Sequence, residues 1–143
     1  MPDEQVYDSP VEWVARHVRS YVETAGRKGH RKWGAPTLLL TTRGRKTGRL
    51  RRTALIYGQD GERYVVVGSN GGSRANPNWY FNLTEHPDVT VQVEADVFPA
   101  RARVARDGER ARLWRLMTEI WPTYDNYQAK VKREIPVVVL ERQ

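Results

Sequence analysis

The sequence predicts a mainly β protein of the α+β class, a small closed or split β-barrel of about six antiparallel strands with helices at its edges. Six short runs rich in Val, Leu, Thr and Tyr alternate with turns that carry glycine or aspartate. With 143 residues, 39% of them hydrophobic, the chain is long enough for one core and too short for two ordinary domains. We therefore expect one globular domain overall.

Residues 1–35 are expected to form an amphipathic N-terminal helix and a linker. Apolar residues recur at helical spacing from Val11 to Ala25, and Ser9-Pro10 supplies an N-cap followed by a proline. The polar segment from Gly26 to Gly34 is interpreted as the linker. Residues 36–143 are then the barrel.

Six strands are expected in the barrel: Thr37–Arg43, Arg51–Tyr57, Arg63–Gly68, Val89–Glu94, Val97–Ala105 and Ile135–Arg142. Gly44 and Gly48 bracket a first hairpin loop, Asp60-Gly61 is typical of a second, and Ala95-Asp96 closes a third. The connections are therefore predicted to be antiparallel hairpins.

Peripheral helices are expected between and after these hairpins. Asn76-Pro77 opens a short helical segment that ends before His86-Pro87. Asp107 caps a longer helix, which Pro122 ends before a second short helical piece. The apolar face of the longer helix consists of Leu113, Leu116, Met117 and Ile120.

The positive charge is concentrated in one part of the chain. Ten of the 24 Lys and Arg residues fall between Gly26 and Arg52, a stretch without any acid, which leaves fourteen against all 17 Asp and Glu elsewhere. The remainder is net acidic, at −3, although the whole chain is at +7. A concentrated basic patch predicts an anionic partner at one place.

Several classes of protein are disfavoured by what the sequence lacks. Without cysteine there are no disulfides, Cys-ligated zinc, iron–sulfur clusters or thiol nucleophiles. The N-terminus has no apolar signal region, and no run reaches the length of a membrane span, so we expect a cytoplasmic protein. Arg16 and Arg19 on the polar face of the N-terminal helix add the expectation of a weak peripheral contact with the inner face of the plasma membrane.

Three segments offer binding chemistry. The Gly44–Gly48 turn presents one guanidinium, one ammonium, one hydroxyl and backbone N–H groups, which suit a phosphate or carboxylate. Gly68–Gly72 permits a close approach of backbone to a ligand. Aromatic faces that could stack on a planar ring belong to Trp79, Tyr80, Trp121, Tyr124 and Tyr127.

Acid–base and metal groupings are missing from the sequence. His17, His30 and His86 lack metal-ligand spacing, so no metal site is expected. No Gly-x-Ser-x-Gly motif is present. A protein with an anion cradle and aromatic walls but no acid–base set is expected to depend on a cofactor.

Five segments, in the same order, resemble the deazaflavin (F420)-dependent nitroreductase family of actinobacteria: LLLTTRGRKTGRLR from Leu38 to Arg51, YVVVGSNGG, NPNWYFNL with HPDVTVQV, WPTYDNYQ, and IPVVVLE. The resemblance extends from about Pro36 to the C-terminus. It implies an FMN-binding split-barrel-like fold and coenzyme F420 as cofactor. It also implies hydride transfer from reduced F420 to a quinone or a nitroaromatic acceptor.

The resemblance also implies which residues contact the cofactor. Its anionic phosphodiester and oligoglutamate arm is expected near the Gly44–Gly48 turn, and its ring beside Val67–Asn70 and Trp79. The expected cofactor-binding residues are Arg45, Lys46, Thr47, Arg51, Arg52, Thr53, Ala54, Leu55, Ile56, Val67, Gly68, Ser69, Asn70, Asn78, Trp79, Tyr80, Phe81 and Asn82.

The resemblance implies that Tyr124 faces the ring and the substrate. It is the expected catalytic residue, whose hydroxyl would orient the acceptor oxygen or donate a proton to a developing quinol anion. Trp121, Tyr124 and Tyr127 are expected to line the substrate pocket for a quinone-like acceptor. Ile56 and Trp121 stand where the family would have tyrosines. We therefore expect bulky nitroimidazoles to be poor substrates.

Two alternatives stay open at the level of sequence. A basic β-barrel that binds single-stranded nucleic acid through Arg, Lys and stacked aromatics would have the same composition and no cofactor. An FMN-binding barrel oxidoreductase would share the predicted fold. The ordered motifs favour the F420-dependent enzyme, with no nucleic acid partner, and leave its oligomeric state unknown.

Overall fold

The computed structural model describes residues 4–143, which form nine strands, four α-helices and one 3₁₀ turn at Asn70–Gly72. The strands are β1 (Val6–Asp8), β2 (Arg31–Lys32), β3 (Ala35–Arg43), β4 (Leu50–Ile56), β5 (Gly58–Asp60), β6 (Arg63–Val67), β7 (Asp88–Val93), β8 (Asp96–Val104) and β9 (Val137–Arg142). The helices are α1 (Glu12–Glu23), α2 (Asn78–Glu85), α3 (Asp107–Ile120) and α4 (Thr123–Lys130). The prediction of a mainly β fold with peripheral helices is confirmed.

All nine strands belong to one sheet in the order β1-β4-β3-β7-β8-β9-β6-β5, with β2 paired to β3 beside this path. The sheet curls back on itself, because β4 and β5 lie near opposite ends of the order but are separated in the chain only by Tyr57. In the described chain β4 and β6 form no ladder with each other. A cleft between these two strands holds the site described below.

The strands β6 and β9 are buried on both faces, which explains their unbroken valine-rich sequences. Successive side chains point to opposite faces of a strand, so alternate residues enter different cores. The core inside the barrel includes Leu38, Leu40, Val66, Phe98, Val138 and Leu140. The core beneath α3 and α4 includes Val65, Val67, Leu113, Met117, Val137 and Val139.

Helix α1 packs on the barrel. Val18 and Tyr21 are fully buried against Leu39 of β3. The Tyr21 hydroxyl donates to the Thr37 carbonyl at 2.9 Å and accepts from the Glu94 N–H at 2.7 Å. The centre of the apolar stripe is thus covered by protein, whereas Val11 and Val22 are exposed, and the weak membrane contact stays a prediction. No helix within residues 4–143 is long and apolar enough to cross a membrane.

The structure corrects parts of the predicted topology. The six predicted strands are present within two residues of their expected ends, but β1, β2 and β5 are additional. Each of these three has only two or three residues, too few to show a period-two pattern. The turn at Gly61 joins β5 to β6, so the predicted hairpin between β4 and β6 is wrong. The sheet is also not wholly antiparallel, because β1 pairs with β4 in parallel.

The segment interpreted as a linker is partly structured. Arg31 and Lys32 form β2 and pair with Pro36 and Ala35 of β3, so two residues, Trp33 and Gly34, make the connecting turn. The proposed boundary between residues 35 and 36 falls inside β3. The N-terminal part therefore adds two strands, β1 and β2, to the barrel sheet.

Candidate active site

Two adjoining cavities share Thr53 of β4 and Trp79 of α2. The first, here the polar cavity, has a volume of about 360 Å³ and is lined by β1, the Gly44–Gly48 turn, β4 and α2. The second, here the aromatic cavity, has about 550 Å³ and is lined by β4, the chain after β6, and five aromatic side chains besides Trp79. Together they can accept a ligand with one polar and one planar part.

The Gly44–Gly48 turn of the polar cavity is held from inside and from α2. The Gly44 N–H donates to the Arg49 carbonyl at 2.7 Å, and the Gly48 N–H donates to the Gly44 carbonyl at 2.8 Å. The Arg45 N–H donates to Asn82 Oδ1 at 3.1 Å. Asn82 is buried, and its side-chain amide in turn donates to the Thr42 hydroxyl at 3.2 Å. The turn is therefore fixed on the middle of α2 through Asn82.

The cations of the polar cavity differ in their partners. The Arg45 guanidinium contacts the neutral Asn82 Oδ1 at 3.0 Å and lies 5.0 Å from the Phe81 ring centre. Within residues 4–143, Arg45, Lys46 and Arg51 have no carboxylate within 4.0 Å. Arg52, in contrast, donates from Nε to Asp8 at 2.9 Å. Three uncompensated cations thus give this cavity a positive potential.

The aromatic cavity occupies the cleft between β4 and β6. Thr53–Ile56 of β4 line one side, and Val67, Ser69 and Asn70 line another. The aromatic lining residues are Trp13, Trp33, Trp79, Trp121, Tyr124 and Tyr127. Such a slot suits a planar ring system, because aromatic faces provide large apolar contact area.

Tyr124 is buried in the wall of the aromatic cavity. Burial, with a smaller effect of the neighbouring Tyr127 phenol, raises the pKa of the Tyr124 hydroxyl above its ordinary value. Within the described residues this hydroxyl has no hydrogen-bond partner, and the two tyrosine rings are 6.4 Å apart. The hydroxyl therefore stays protonated near neutral pH and can donate to a ligand.

The chain after β6 packs on α4 at Gly72. Its φ of +81° is readily adopted only by glycine, and an added Cβ would lie 2.9 Å from Cδ1 of Tyr127. Glycine is therefore needed at position 72 so that the backbone can approach the Tyr127 ring closely. This contact places Ser69, Asn70 and Tyr127 around one cavity.

The structure brings together most of the residues that the sequence predicts for the site. All the predicted cofactor-binding and substrate-pocket residues line one of the two cavities except Gly68, Tyr80 and Phe81. An added Cβ at Gly68 would meet Pro136 at 2.7 Å, Tyr80 packs against the barrel core, and Phe81 supports Arg45. The binding roles themselves stay predictions.

Sequence reasoning misses the residues that the N-terminal part contributes. Tyr7, Ser9 and Pro10 line the polar cavity, and Trp13 and Trp33 line the aromatic one. Trp13 lies off the buried stripe of α1, and this position of a large apolar residue is the sequence signal that could have revealed it. In the structure Trp13 is 53% exposed.

Trp33 is placed by the two-residue turn between β2 and β3. Its φ of 56° and that of Gly34, 78°, match a type I′ turn, which rarely contains tryptophan. The Trp33 ring lies 5.8 Å from Trp13 and 6.2 Å from Trp121. The sequence does not reveal this two-residue turn, because asparagine or aspartate, the usual residues before the glycine of such a turn, are missing.

A curled sheet with a cationic cavity beside an aromatic one defines a protein that binds an anionic, ring-bearing cofactor. The chain belongs to the F420H(2)-dependent quinone reductase family, which matches residues 13–142. It is therefore an F420-dependent oxidoreductase, and its cofactor is coenzyme F420. The match begins at Trp13, well before Pro36, and so includes all of α1 except Glu12. Membership supports the F420-dependent enzyme over the two alternatives.

The chain is similar to proteins of known name. It is 42% identical over 144 residues to an F420H(2)-dependent quinone reductase of Mycobacterium tuberculosis, over 92% of this chain and 97% of that protein. A solved F420-H2 dependent reductase, FDR-A, is 39% identical, with a TM-score of 0.70 over 74% of this chain and 94% of that one. A structure described as a domain-swapped dimer is 36% identical, with a TM-score of 0.73 over 93% and 100% of the two chains.

Proposed function

We propose that the protein transfers a hydride from reduced F420 to a quinone-like acceptor in the aromatic cavity. The observation that carries this proposal is the junction of the two cavities at Thr53 and Trp79. It provides one continuous site with cations at one end and aromatic walls at the other. The M. tuberculosis relative, named a quinone reductase, supports the acceptor class.

The residues present fit the cofactor. Arg45, Lys46 and Arg51 would hold its phosphodiester and oligoglutamate arm, because their charges have no carboxylate partner within residues 4–143. Arg52 would contribute less, because Asp8 already compensates its charge. Thr53–Ile56 on one side, and Val67, Ser69 and Asn70 on the other, would hold the ring in the cleft between β4 and β6.

The chemistry of the bound cofactor is the donation of a hydride from carbon. The protein contributes contact and orientation: its aromatic walls exclude water and bring ring and acceptor within reaction distance. The Tyr124 hydroxyl, protonated and without a partner in the described chain, would donate to the acceptor oxygen that becomes negatively charged.

The lining of the aromatic cavity favours quinones over nitroimidazoles. Ile56 and Trp121 stand where the resemblance implies tyrosines, so this wall has fewer hydroxyl donors for a nitro group, whereas Trp13 and Trp33 extend the apolar surface. Both tryptophans are more than half exposed, which leaves their faces open to an apolar ring.

The test is the reduction of menadione by purified protein with reduced F420, followed by the recovery of deazaflavin absorbance. Reduced FMN serves as the matched alternative donor, and a titration of the protein with F420 and FMN side by side gives the two affinities. We expect turnover with F420 alone and tighter binding of F420. Failure to reduce any quinone, despite tight F420 binding, would refute the proposed acceptor class.

A further inference from the structure

Arg133, between α4 and β9, donates hydrogen bonds to four acceptors in the chain from Gly68 to Asn76. Its Nε donates to the Ser73 carbonyl at 3.0 Å. Nη1 donates to the Gly68 carbonyl at 3.2 Å and to the Asn76 side-chain oxygen, and Nη2 donates to the Ser69 carbonyl at 2.7 Å. One guanidinium thus fixes the whole segment that leads from β6 to α2.

All four acceptors are neutral, and Arg133 has no carboxylate within 4.0 Å in the described part of the chain. Desolvation lowers the pKa of this guanidinium, but an arginine remains charged in any case. Its rigid fork of N–H donors matches carbonyls spread over six residues, which a single lysine ammonium could not satisfy. The positive charge of Arg133 is therefore directed at the carbonyl groups of this segment and not at a carboxylate.

Peptide planarity sets the direction of two backbone donors. The Gly68 carbonyl points at Arg133, so the N–H of the same peptide group, which belongs to Ser69, points away from Arg133. The Ser69 carbonyl also points at Arg133, so the Asn70 N–H points away from it in the same manner. Neither N–H has an acceptor within residues 4–143, whereas the Gly72 N–H donates to the Ser69 carbonyl at 2.9 Å. Ser69 and Asn70 both line the aromatic cavity.

We propose that Arg133 is a positioning residue of the cofactor site. It holds the Ser69 and Asn70 N–H groups toward the aromatic cavity, where they donate to the acceptor-bearing edge of the bound ring. The guanidinium also polarises both peptide groups and strengthens them as donors. This inference rests on the proposed placement of the ring in that cavity.

The first test compares Arg133→Gln and Arg133→Lys by fluorescence titration with two ligands, F420 and the tail-less deazaflavin precursor. Loss of two oriented donors should weaken both ligands by the same factor, roughly tenfold for the glutamine variant. The lysine variant should recover part of this loss. Equal weakening distinguishes Arg133 from Arg45 and Lys46, whose removal should affect only the ligand with the anionic arm.

The matched control is Arg103→Gln. Arg103 also uses Nε, Nη1 and Nη2, but it bonds Glu109 and Glu141 and lines neither cavity. It should lower the melting temperature without changing either affinity. Folded Arg133 variants with wild-type affinity would overturn the inference, whereas a wild type that binds neither ligand would overturn the proposed function as well.

A second measurement needs no variant. Hydrogen exchange of the wild type should show unprotected Ser69 and Asn70 amides without ligand and slowed exchange of both with the tail-less precursor. This measurement tests whether the two N–H groups donate to the ligand even if both Arg133 variants fail to fold. Protection of these amides before ligand is added, or no change on ligand binding, would show that Arg133 stabilises the loop without directing donors at the ligand.

Discussion

Replacing Arg45 and Lys46 together by alanine separates recognition of the cofactor arm from general basicity. The Arg45 side chain is half-buried between Asn82 and Phe81, so a contact with an anion there is worth about 1.5 kcal/mol. Lys46 is exposed, which limits its contact to about 0.5 kcal/mol. The double variant should therefore lose about 2 kcal/mol, or roughly thirtyfold in affinity for long-tailed F420.

The turn should survive this change, because its attachment to Asn82 includes the backbone N–H of residue 45. The assay is fluorescence titration with F420 and with the tail-less deazaflavin precursor, at two salt concentrations. Affinity for the precursor should change less than about twofold, because it lacks the charges that these side chains hold. Higher salt should reduce the difference in F420 affinity between the wild type and the double variant.

The control is the pair Arg27→Ala with Lys28→Ala, which removes the same charge from a segment that lines neither cavity. It should weaken F420 by less than about threefold, through the summed field alone. Equal losses from the two double variants would refute the assignment of the arm to the Gly44–Gly48 turn. So would equal weakening of the tailed and tail-less ligands by the Arg45 and Lys46 variant.

Three further predictions concern single residues. Tyr124→Phe should lower the turnover number about tenfold with little change in F420 affinity, while Tyr64→Phe, outside both cavities, should leave both unchanged in the same steady-state assay. Ile56→Tyr should restore a donor to the aromatic cavity and raise the rate of nitroimidazole reduction relative to menadione; an unchanged ratio in a paired-substrate assay would contradict this. Burial raises the pKa of Tyr21 to about 12, above the unfolded value of about 10, so its contribution to stability is complete below pH 10 and is lost as pH rises toward 12. Urea unfolding between pH 10 and pH 12 should show that the free energy of unfolding falls as pH rises. Tyr21→Phe should make this fall with pH less steep.

The barrel strands could be predicted because each is long enough to show its pattern. β3, β8 and β9 extend over six to nine residues, and their burial follows from alternation or from burial on both faces. β1, β2 and β5 are determined by tertiary pairing instead. Their two or three residues carry no period, and β5 is recognisable only because Gly58–Asp60 pairs with β6.

The candidate site divides in the same way. The Gly44–Gly48 turn, the Ser69–Asn70 segment and α2 are local motifs, so their residues could be named from the sequence. Trp33 enters the site through a turn of two residues that bring it beside Trp121, a residue 88 positions later in the chain. No local pattern can predict a contact over that separation.

The N-terminal strand β1 makes the basic patch more selective. Parallel pairing of β1 with β4 sets Asp8 opposite Arg52, and the two side chains form an ion pair at 2.9 Å. The same strand places the Tyr7 ring 5.0 Å from the Arg49 guanidinium. These contacts engage two cations of the ten and leave Arg45, Lys46 and Arg51 facing the polar cavity. An anion is therefore attracted to one end of the site, because β1 compensates the neighbouring charge that would otherwise compete for it.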